Sequence, residues 1–303
     1  MQRGKSARGP MLRLASAMLI FGTIGVFRRA IPLGSGLLAF SRGVLGGVFL
    51  LIVLACRGRK GRSGLTGRQL GLLVLTGALI GINWILLFEA YNYTTVAVAT
   101  LCYYMEPTIV LLLSPLVFRE RLGVKKALCA AAAVAGMVLV SGVTGSGGGD
   151  LRGILFGLGA ALFYSAVVIL NKKLPGVEAY AKTTVQLLSA AAVLAPYLLL
   201  TGGFSGVSMD GRTWALLLLV GIVHTGFAYV LYFGSMDGLK AQTVAIFSYI
   251  DPVSALFFSA VLLREPLTLR CLIGAALILG GAIYSELGEK LRLRAADNRM
   301  ATA

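Results

Sequence analysis

The sequence predicts an all-α integral membrane protein with ten transmembrane helices, arranged as an inverted repeat of five plus five. Two observations support this prediction: the composition of the chain and a motif that occurs twice. Hydrophobic residues make up 57% of the 303 residues and charged residues only 13%. Because so few polar residues cannot cover a soluble protein of this length, most of the chain must lie in a lipid bilayer.

The repeated motif indicates a duplication. Its first copy begins at residues 104–107 (YMEP) and ends at residues 119–122 (RERL). The second copy begins at residues 249–252 (YIDP) and ends at residues 264–267 (REPL), so the matching residues have the same offset of 145 positions. An ordered series of matches at one offset indicates two related halves. Since each half has an odd number of predicted spans, the halves are expected to enter the membrane in opposite senses.

Each predicted span is an apolar segment of about 20 residues, the length that a bilayer requires. The predicted helices are residues 12–31, 37–56, 70–91, 95–118, 127–143, 151–170, 180–201, 213–236, 241–263 and 271–286. They divide the chain into an N-terminal tail (1–11), a first repeat (12–143), a glycine-rich linker (144–150), a second repeat (151–286) and a C-terminal tail (287–303).

The formal net charge of +16 predicts orientation in the membrane. The basic residues lie between apolar segments, without interleaved aromatic residues or a domain to present them, so nucleic acid is not an expected partner. Short cytoplasmic loops retain lysine and arginine, which places both tails in the cytoplasm of a multi-pass protein of the cell membrane. The four cysteines lack the paired spacing of a metal site or disulfide framework, and we expect no metal or cofactor.

Two acids, Glu106 and Asp251, fall near the middle of predicted spans, where an ionised aspartate costs roughly 2.5–3.5 kcal/mol. Two interpretations remain open. Both acids face a central cavity and exchange a proton or bind a cationic group, or each stays protonated and donates to a backbone carbonyl freed by the next residue. Those next residues, Pro107 and Pro252, lack an amide hydrogen and are expected to kink their helices.

Other polar residues in the spans are weaker candidates. Arg42 either extends to the outer headgroups or provides a charge that attracts a carboxylate, and its counterpart in the second half is Gln186. His224, the only histidine, either packs against a neighbouring helix or relays protons. A further group of residues either lines an amphipathic pocket or packs in the bundle: Asn83, Trp84, Tyr104, Tyr229 and Tyr249.

The two copies of the motif, residues 104–122 and 249–267, resemble the repeated signature of the EamA-type branch of the drug/metabolite transporter superfamily. The resemblance extends over residues 12–285. It implies ten helices as an inverted five-plus-five repeat, a central cavity, and export of amino acids, other metabolites or drugs. Where that signature often has a small or apolar residue before the proline, this chain has Glu106 and Asp251.

We therefore expect a secondary transporter that exports a small organic metabolite by alternating access, as a monomer or a homodimer, with protons as a candidate coupling ion. The motifs of phosphate-binding loops, zinc proteases and serine hydrolases do not occur, so an enzyme is not expected. Two alternatives remain: an uncoupled facilitator of small solutes, and a lipid-handling membrane protein. The two alternatives differ in whether solute flux is saturable.

Overall fold

The computed structural model describes residues 8–57, 65–118, 123–141, 151–174, 176–205, 209–236, 239 and 241–301. Within these residues the regular structure is entirely helical. The predicted linker (144–150) and the Arg119-Glu120 pair lie outside the described residues. The prediction of an all-α protein is confirmed.

The helices of the first half lie in the order expected from the apolar segments. They are α1 (Arg8–Gly22), α2 (Ile24–Ala30), α3 (Ser35–Cys56), α4 (Gly67–Tyr93), α5 (Val96–Tyr103), α6 (Glu106–Phe118) and α7 (Val124–Ser141). The second half comprises α8 (Leu151–Asn171), α9 (Ala179–Leu200), α10 (Gly211–Leu218), a π-helical segment (Leu219–Phe227), α11 (Ala228–Met236), α12 (Ala241–Ser248), α13 (Ile250–Leu262) and α14 (Leu269–Ala301).

The described helices include seven that are long and apolar enough to cross a membrane, and two shorter apolar ones, Ile246–Leu262 and Leu269–Ser285. Large apolar side chains such as Leu116 and Leu200 point outward and are more than four-fifths exposed. In water such a surface would cost free energy, whereas a bilayer accommodates it. The chain is therefore a multi-pass membrane protein, and the count of ten spans stays a prediction.

Several predicted spans are interrupted near their middle. The first breaks at Thr23, whose hydroxyl donates to the carbonyl oxygen of Ile20 at 2.8 Å. The fourth breaks after Tyr103 and the ninth after Ser248, in each case four residues before a proline of the repeated motif. Proline has no amide hydrogen to donate to the carbonyl four residues earlier, so the regular helix ends at that residue. The sequence predicted continuous, kinked helices, and the structure has short breaks between two helices instead.

Glycines bring α3 close to its neighbours. A Cβ atom on Gly43 would lie 3.0 Å from the carbonyl oxygen of Leu187, and one on Gly47 would lie 2.7 Å from a methyl group of Leu188. Both contacts are with α9, and small residues permit such close approach of helices in membranes. The other main helix pairs are α4 with α8 and α9, α1 with α11 and α13, and α7 with α14. This packing leaves a space between the two halves.

Candidate functional site

A cavity of about 910 Å³ lies between the two halves and is lined by both. Its volume falls within the range of sites that bind small molecules, roughly 300–1,000 Å³. Most of the residues singled out in the sequence line it: Arg42, Trp84, Tyr104, Glu106, Pro107, Tyr229, Tyr249 and Asp251. The two copies of the repeated motif therefore meet at one cavity.

Four singled-out residues do not line the cavity. Asn83 is fully buried between α4 and α8, where its amide nitrogen donates to the carbonyl oxygen of Ala160 at 2.6 Å. Gln186 is buried and donates to Thr76 and Asn171, at 2.8 and 2.9 Å. These polar side chains connect neighbouring helices. Asn83 therefore does not line the pocket for which it was a candidate, and Gln186 does not face the cavity as its counterpart Arg42 does.

His224 and Pro252 also lie away from the cavity lining. The His224 ring is 2% exposed, and its Nε2 atom is 2.8 Å from the Thr23 hydroxyl. Thr23 is the break between α1 and α2, and His224 belongs to the π-helical segment. Of the two interpretations of the histidine, the geometry corresponds to packing against a neighbouring helix. Pro252 is buried in the first turn of α13.

The two acids begin equivalent helices. Glu106 is the first residue of α6 and Asp251 the second residue of α13. Tyr104 donates its hydroxyl hydrogen to Asp251 Oδ2 at 2.7 Å, and Ser165 donates to the backbone oxygen of Glu106 at 3.2 Å. The first turn of a helix also presents unpaired amide groups and a positive dipole end, which favour a carboxylate. The cavity thus has an acid from each half, and the acid of the second half accepts a hydrogen bond from a tyrosine of the first.

Arg42 occupies the part of the cavity nearer the predicted outer side, about 10 Å from the start of α3 at 1.5 Å per residue. Its side chain is 5% exposed, and Nε donates to Thr225 Oγ1 at 3.0 Å. The guanidinium carbon lies 4.2 Å from the centroid of the Trp84 ring and 5.3 Å from that of Phe88. The interpretation that Arg42 extends to the headgroups is wrong, because this side chain points into the protein.

Aromatic side chains form much of the cavity wall. The Tyr103 ring lies 5.9 Å from Tyr104 and 5.6 Å from Tyr164, between ring centroids. Sequence reasoning did not single out Tyr91, Tyr232, Lys126 or Lys172 as lining residues, although all four contribute. Tyr91 lies on the same helix as Trp84, and Tyr232 on the same helix as Tyr229, whereas the two lysines lie at helix ends. Which of these side chains faces the cavity depends on how each helix is rotated.

A network of polar side chains lies at the predicted outer side, beyond the residues that line the cavity. We call it the outer network; its members are Arg28, Arg29, Ser35, Glu89, Asn92 and Glu265. An Nη atom of Arg29 lies 3.2 Å from Glu265 Oε1, and these two side chains form an ion pair. Glu265 also accepts from the Val96 amide at 2.8 Å and from the Ser259 hydroxyl.

A second set of contacts completes the outer network. Arg28 donates to Ser35 at 3.2 Å and to Asn92 at 3.0 Å, and Ser35 donates to Glu89 at 2.6 Å. The network joins α2, α3 and the end of α4 to the segment after α13. None of its members lines the cavity. At the opposite end the lining includes Lys126, Lys172 and Ser285, which lie at the predicted cytoplasmic ends of their helices.

The apolar helices and the shared cavity define a multi-pass membrane protein of the transporter class. A sequence model of the EamA-like transporter family matches residues 10–142 and 151–286. The chain therefore belongs to the EamA-like transporter family, and it is a membrane transporter of small solutes. The predicted family membership is confirmed.

Relatives in other organisms are also named as transporters. The uncharacterized transporter YxxF of Bacillus subtilis is 29% identical over 254 residues, which are 83% of this chain and 81% of YxxF. An uncharacterized transporter of Archaeoglobus fulgidus is 30% identical over 269 residues, 88% of this chain and 92% of the relative. A solved crystal structure that is 22% identical matches 93% of this chain with a TM-score of 0.65, which supports the fold.

Proposed function

We propose that this protein is a secondary transporter of the cell membrane that exports a small organic metabolite, such as an amino acid, by alternating access coupled to protons. The observation that supports it best is one cavity with an acid from each half, Glu106 and Asp251, at the start of interrupted helices. Inverted-repeat transporters place substrate and ion sites where such broken helices meet at the bilayer midplane.

The helix contacts support the proposed ten-helix inverted repeat. In such a repeat, spans one, two and three are equivalent to spans six, seven and eight. The packing of α4 on α8 then corresponds to the packing of α11 on α1, and the packing of α4 on α9 corresponds to that of the π-helical segment on α3. Each contact has its counterpart in the other half. This supports repeats at residues 12–143 and 151–286, and opposite orientations of the two halves.

The cavity and the outer network support alternating access and export. The lining reaches Lys126 and Lys172, whereas the outer network closes the other side. With both tails in the cytoplasm, as the distribution of basic residues predicts, this arrangement accepts solute from the cytoplasm. Breaking the outer network would then open the same cavity to the outside. Export against a gradient requires two states of the protein, one that exposes the site to the cytoplasm and one that exposes it to the outside.

Protons are the proposed coupling ion because the cavity provides carboxylates that can exchange them. Intramembrane acids that face a cavity commonly mark proton or ion pathways. A proton that binds Asp251 or Glu106 removes a charge from the cavity and changes the free energy of moving between the two states. The proton gradient of the cell membrane would then drive export.

The test is solute efflux from proteoliposomes loaded with a panel of labelled amino acids and related metabolites, at equal pH and with an acidic exterior. The parent protein is compared with Glu106→Gln and Asp251→Asn. Glu178→Gln is the matched control, since Glu178 is exposed at the start of α9 and does not line the cavity. We expect saturable efflux that the acidic exterior accelerates in the parent and in the control. Either cavity substitution should remove the acceleration.

Other outcomes distinguish the alternatives. Saturable efflux that ignores both pH and the cavity substitutions would mean an uncoupled facilitator. No efflux of any solute, from protein that remains folded by size-exclusion chromatography, would favour lipid handling and contradict the proposal.

A further inference from the structure

Arg42 is a buried cation that the surrounding protein does not neutralise. The ion pair recorded among the described residues is Arg29 with Glu265, so Arg42 has no carboxylate within ion-pairing distance there. Its single hydrogen bond within this part of the chain uses Nε, and neither Nη atom has a partner. In the part of the chain that the structure describes, the polar side-chain atoms that are both fully enclosed and without a partner are Arg28 Nε and Asn83 Oδ1. The two Nη atoms of Arg42 are not among them, so they are not fully enclosed. The Nη atoms therefore remain accessible from the cavity that Arg42 lines.

The orientation of the guanidinium group is fixed from three directions. Trp84 and Phe88 contact it through their rings, at 4.2 and 5.3 Å from the guanidinium carbon to the ring centroids. Arginine stacks on aromatic faces and still donates hydrogen bonds in its own plane. The Nε contact with Thr225 holds one edge, so the opposite edge with the Nη atoms is the edge presented to a ligand.

Thr225 has an unusual position that allows this contact. Its hydroxyl donates to the carbonyl oxygen of Val220, five residues earlier, at 3.0 Å, and accepts from Arg42. A five-residue spacing is that of the π-helical segment, and such segments often occur at functional sites. Thr225 is fully buried, so it acts as a positioning residue for Arg42 and does not contact solute.

From this geometry we infer that Arg42 binds the carboxylate group of the transported solute. A guanidinium edge with two free donors matches the two oxygens of a carboxylate. Arginine keeps its charge in proteins, so a buried guanidinium without a partner gains from an anionic ligand. A carboxylate neutralises the single charge. A dianionic phosphate is disfavoured, because Glu106 and Asp251 line the same cavity.

The rest of the cavity sets the class of solute. Tyrosine rings from both halves form the wall beside Arg42, among them Tyr91, Tyr103 and Tyr229. Such a wall fits an apolar or aromatic body that is attached to the carboxylate. The solutes are therefore small organic acids and zwitterions with an apolar body, and amines without a carboxylate are excluded. This inference rests on the proposed transport function for its biological meaning, although binding can be tested without transport.

The experiment measures binding through the fluorescence of Trp84, in purified protein whose other tryptophan is replaced by Trp214→Phe. The probes share a phenyl body: 3-phenylpropionate, phenylalanine, phenylalaninamide and phenethylamine. We expect the two carboxylates to bind at least about tenfold more tightly than the amide and the amine. Arg42→Met should remove this preference, while Arg13→Met, an exposed arginine of α1 outside the cavity, should keep it.

A second variant keeps the test decisive if Arg42→Met fails to fold. Thr225→Val leaves the arginine and removes its positioning contact, so carboxylate affinity should fall several-fold while the amine is unaffected. The inference is overturned if neither carboxylate binds, or if Arg42→Met weakens the amine as much as the acids. It is also overturned if inorganic phosphate displaces the carboxylates at equal concentration.

The outcomes separate this inference from the proposed function. Saturable efflux of solutes without a carboxylate, unchanged by Arg42→Met, would leave the transporter in place and refute the role of Arg42. Carboxylate binding that depends on Arg42, in a protein that moves no solute, would support the role of Arg42 and contradict the proposed transport function.

Discussion

Tyr104 of the first half donates a hydrogen bond of 2.7 Å to Asp251 of the second half. Both residues belong to copies of the repeated motif, and both line the cavity. The contact therefore joins the two halves at the site itself. A hydrogen bond contributes roughly 0.5–1.5 kcal/mol, and more where one partner is charged, so removing this contact should change the stability measurably.

Replacing Tyr104 by phenylalanine should lower the thermal unfolding temperature at pH 8 in detergent. Asp251 would lose its hydrogen-bond donor and keep its burial, which we expect to cost about 1–3 kcal/mol. Tyr103→Phe is the matched control, because the Tyr103 hydroxyl has no recorded partner among the described residues. In the background of Asp251→Asn, the effect of Tyr104→Phe should shrink, as a double-mutant cycle would reveal. Equal effects in both backgrounds would contradict a direct interaction.

Glu265→Gln should open the outer side of the cavity more often. The substitution removes the charge that pairs with Arg29 and accepts from Val96. We expect a shift of about 1.4 kcal/mol, or tenfold, between the closed and open states. The measurement is labelling of Thr100→Cys by an impermeant maleimide from the outside, in a chain without native cysteines. Thr100 lines the cavity.

The control for this measurement is again Glu178→Gln, which should leave labelling unchanged. If labelling were also faster in the control, the increase in Glu265→Gln would be due to general loosening of the helices. Unchanged labelling in Glu265→Gln would mean that the outer network does not control access.

Gly274→Ala should separate α7 from α14. An added Cβ would lie 2.6 Å from the carbonyl oxygen of Gly136 and 2.5 Å from a methyl group of Val140. Relief of such overpacking typically costs about 1–3 kcal/mol. Gly280→Ala, in the same helix, has nothing within 4 Å and should be neutral or slightly stabilising, since alanine favours helix. The measurement is the thermal unfolding temperature of each variant in detergent. Equal temperatures for the two variants would contradict close packing of α7 on α14 at Gly274.

Asp210 caps α10 from the predicted outer side and should make stability depend on pH. Its hydrogen bond to Thr213, whose amide lies 2.8 Å from Oδ1, holds the pKa of the exposed Asp210 carboxyl below its ordinary value. A carboxyl with a lowered folded-state pKa stabilises the fold above its unfolded pKa, about 4, and this contribution is lost as the pH falls through the folded-state value.

Asp210→Ala should therefore lower the unfolding temperature at pH 7, with a difference from the parent that vanishes in acid. Asp210→Asn retains a good cap without a titrating group, so its unfolding temperature should depend less on pH. A difference between parent and Asp210→Ala that stays constant down to pH 2 would contradict the assignment.

The sequence was sufficient for the class of protein and for part of the cavity lining. A carboxylate or a guanidinium in an apolar span needs a partner or a cavity, which identified Arg42, Glu106 and Asp251 as candidates without any coordinates. All three line the cavity. The substrate, the coupling ion and the number of spans stay predictions.

The failures have a common physical origin. Asn83 and Gln186 are polar residues in spans, as Arg42 is, but each has a partner on a distant helix: Asn83 bonds Ala160, 77 positions away, and Gln186 bonds Thr76, 110 positions away. Whether such a residue faces a cavity or a helix depends on the rotation of both helices, which nearly uniform apolar sequence does not specify. The π-helical segment likewise has no local sequence signal, because its extra residue per turn is stabilised by tertiary contacts.

The contact between Thr23 and His224 has a mechanical consequence. Thr23 is the break between α1 and α2, and His224 lies in the π-helical segment, so the two irregular points of the first and eighth predicted spans touch each other. A change in the bend of one span must displace the ring that contacts the other. Any change in the bend at either point therefore has to be accommodated at this contact between the two halves.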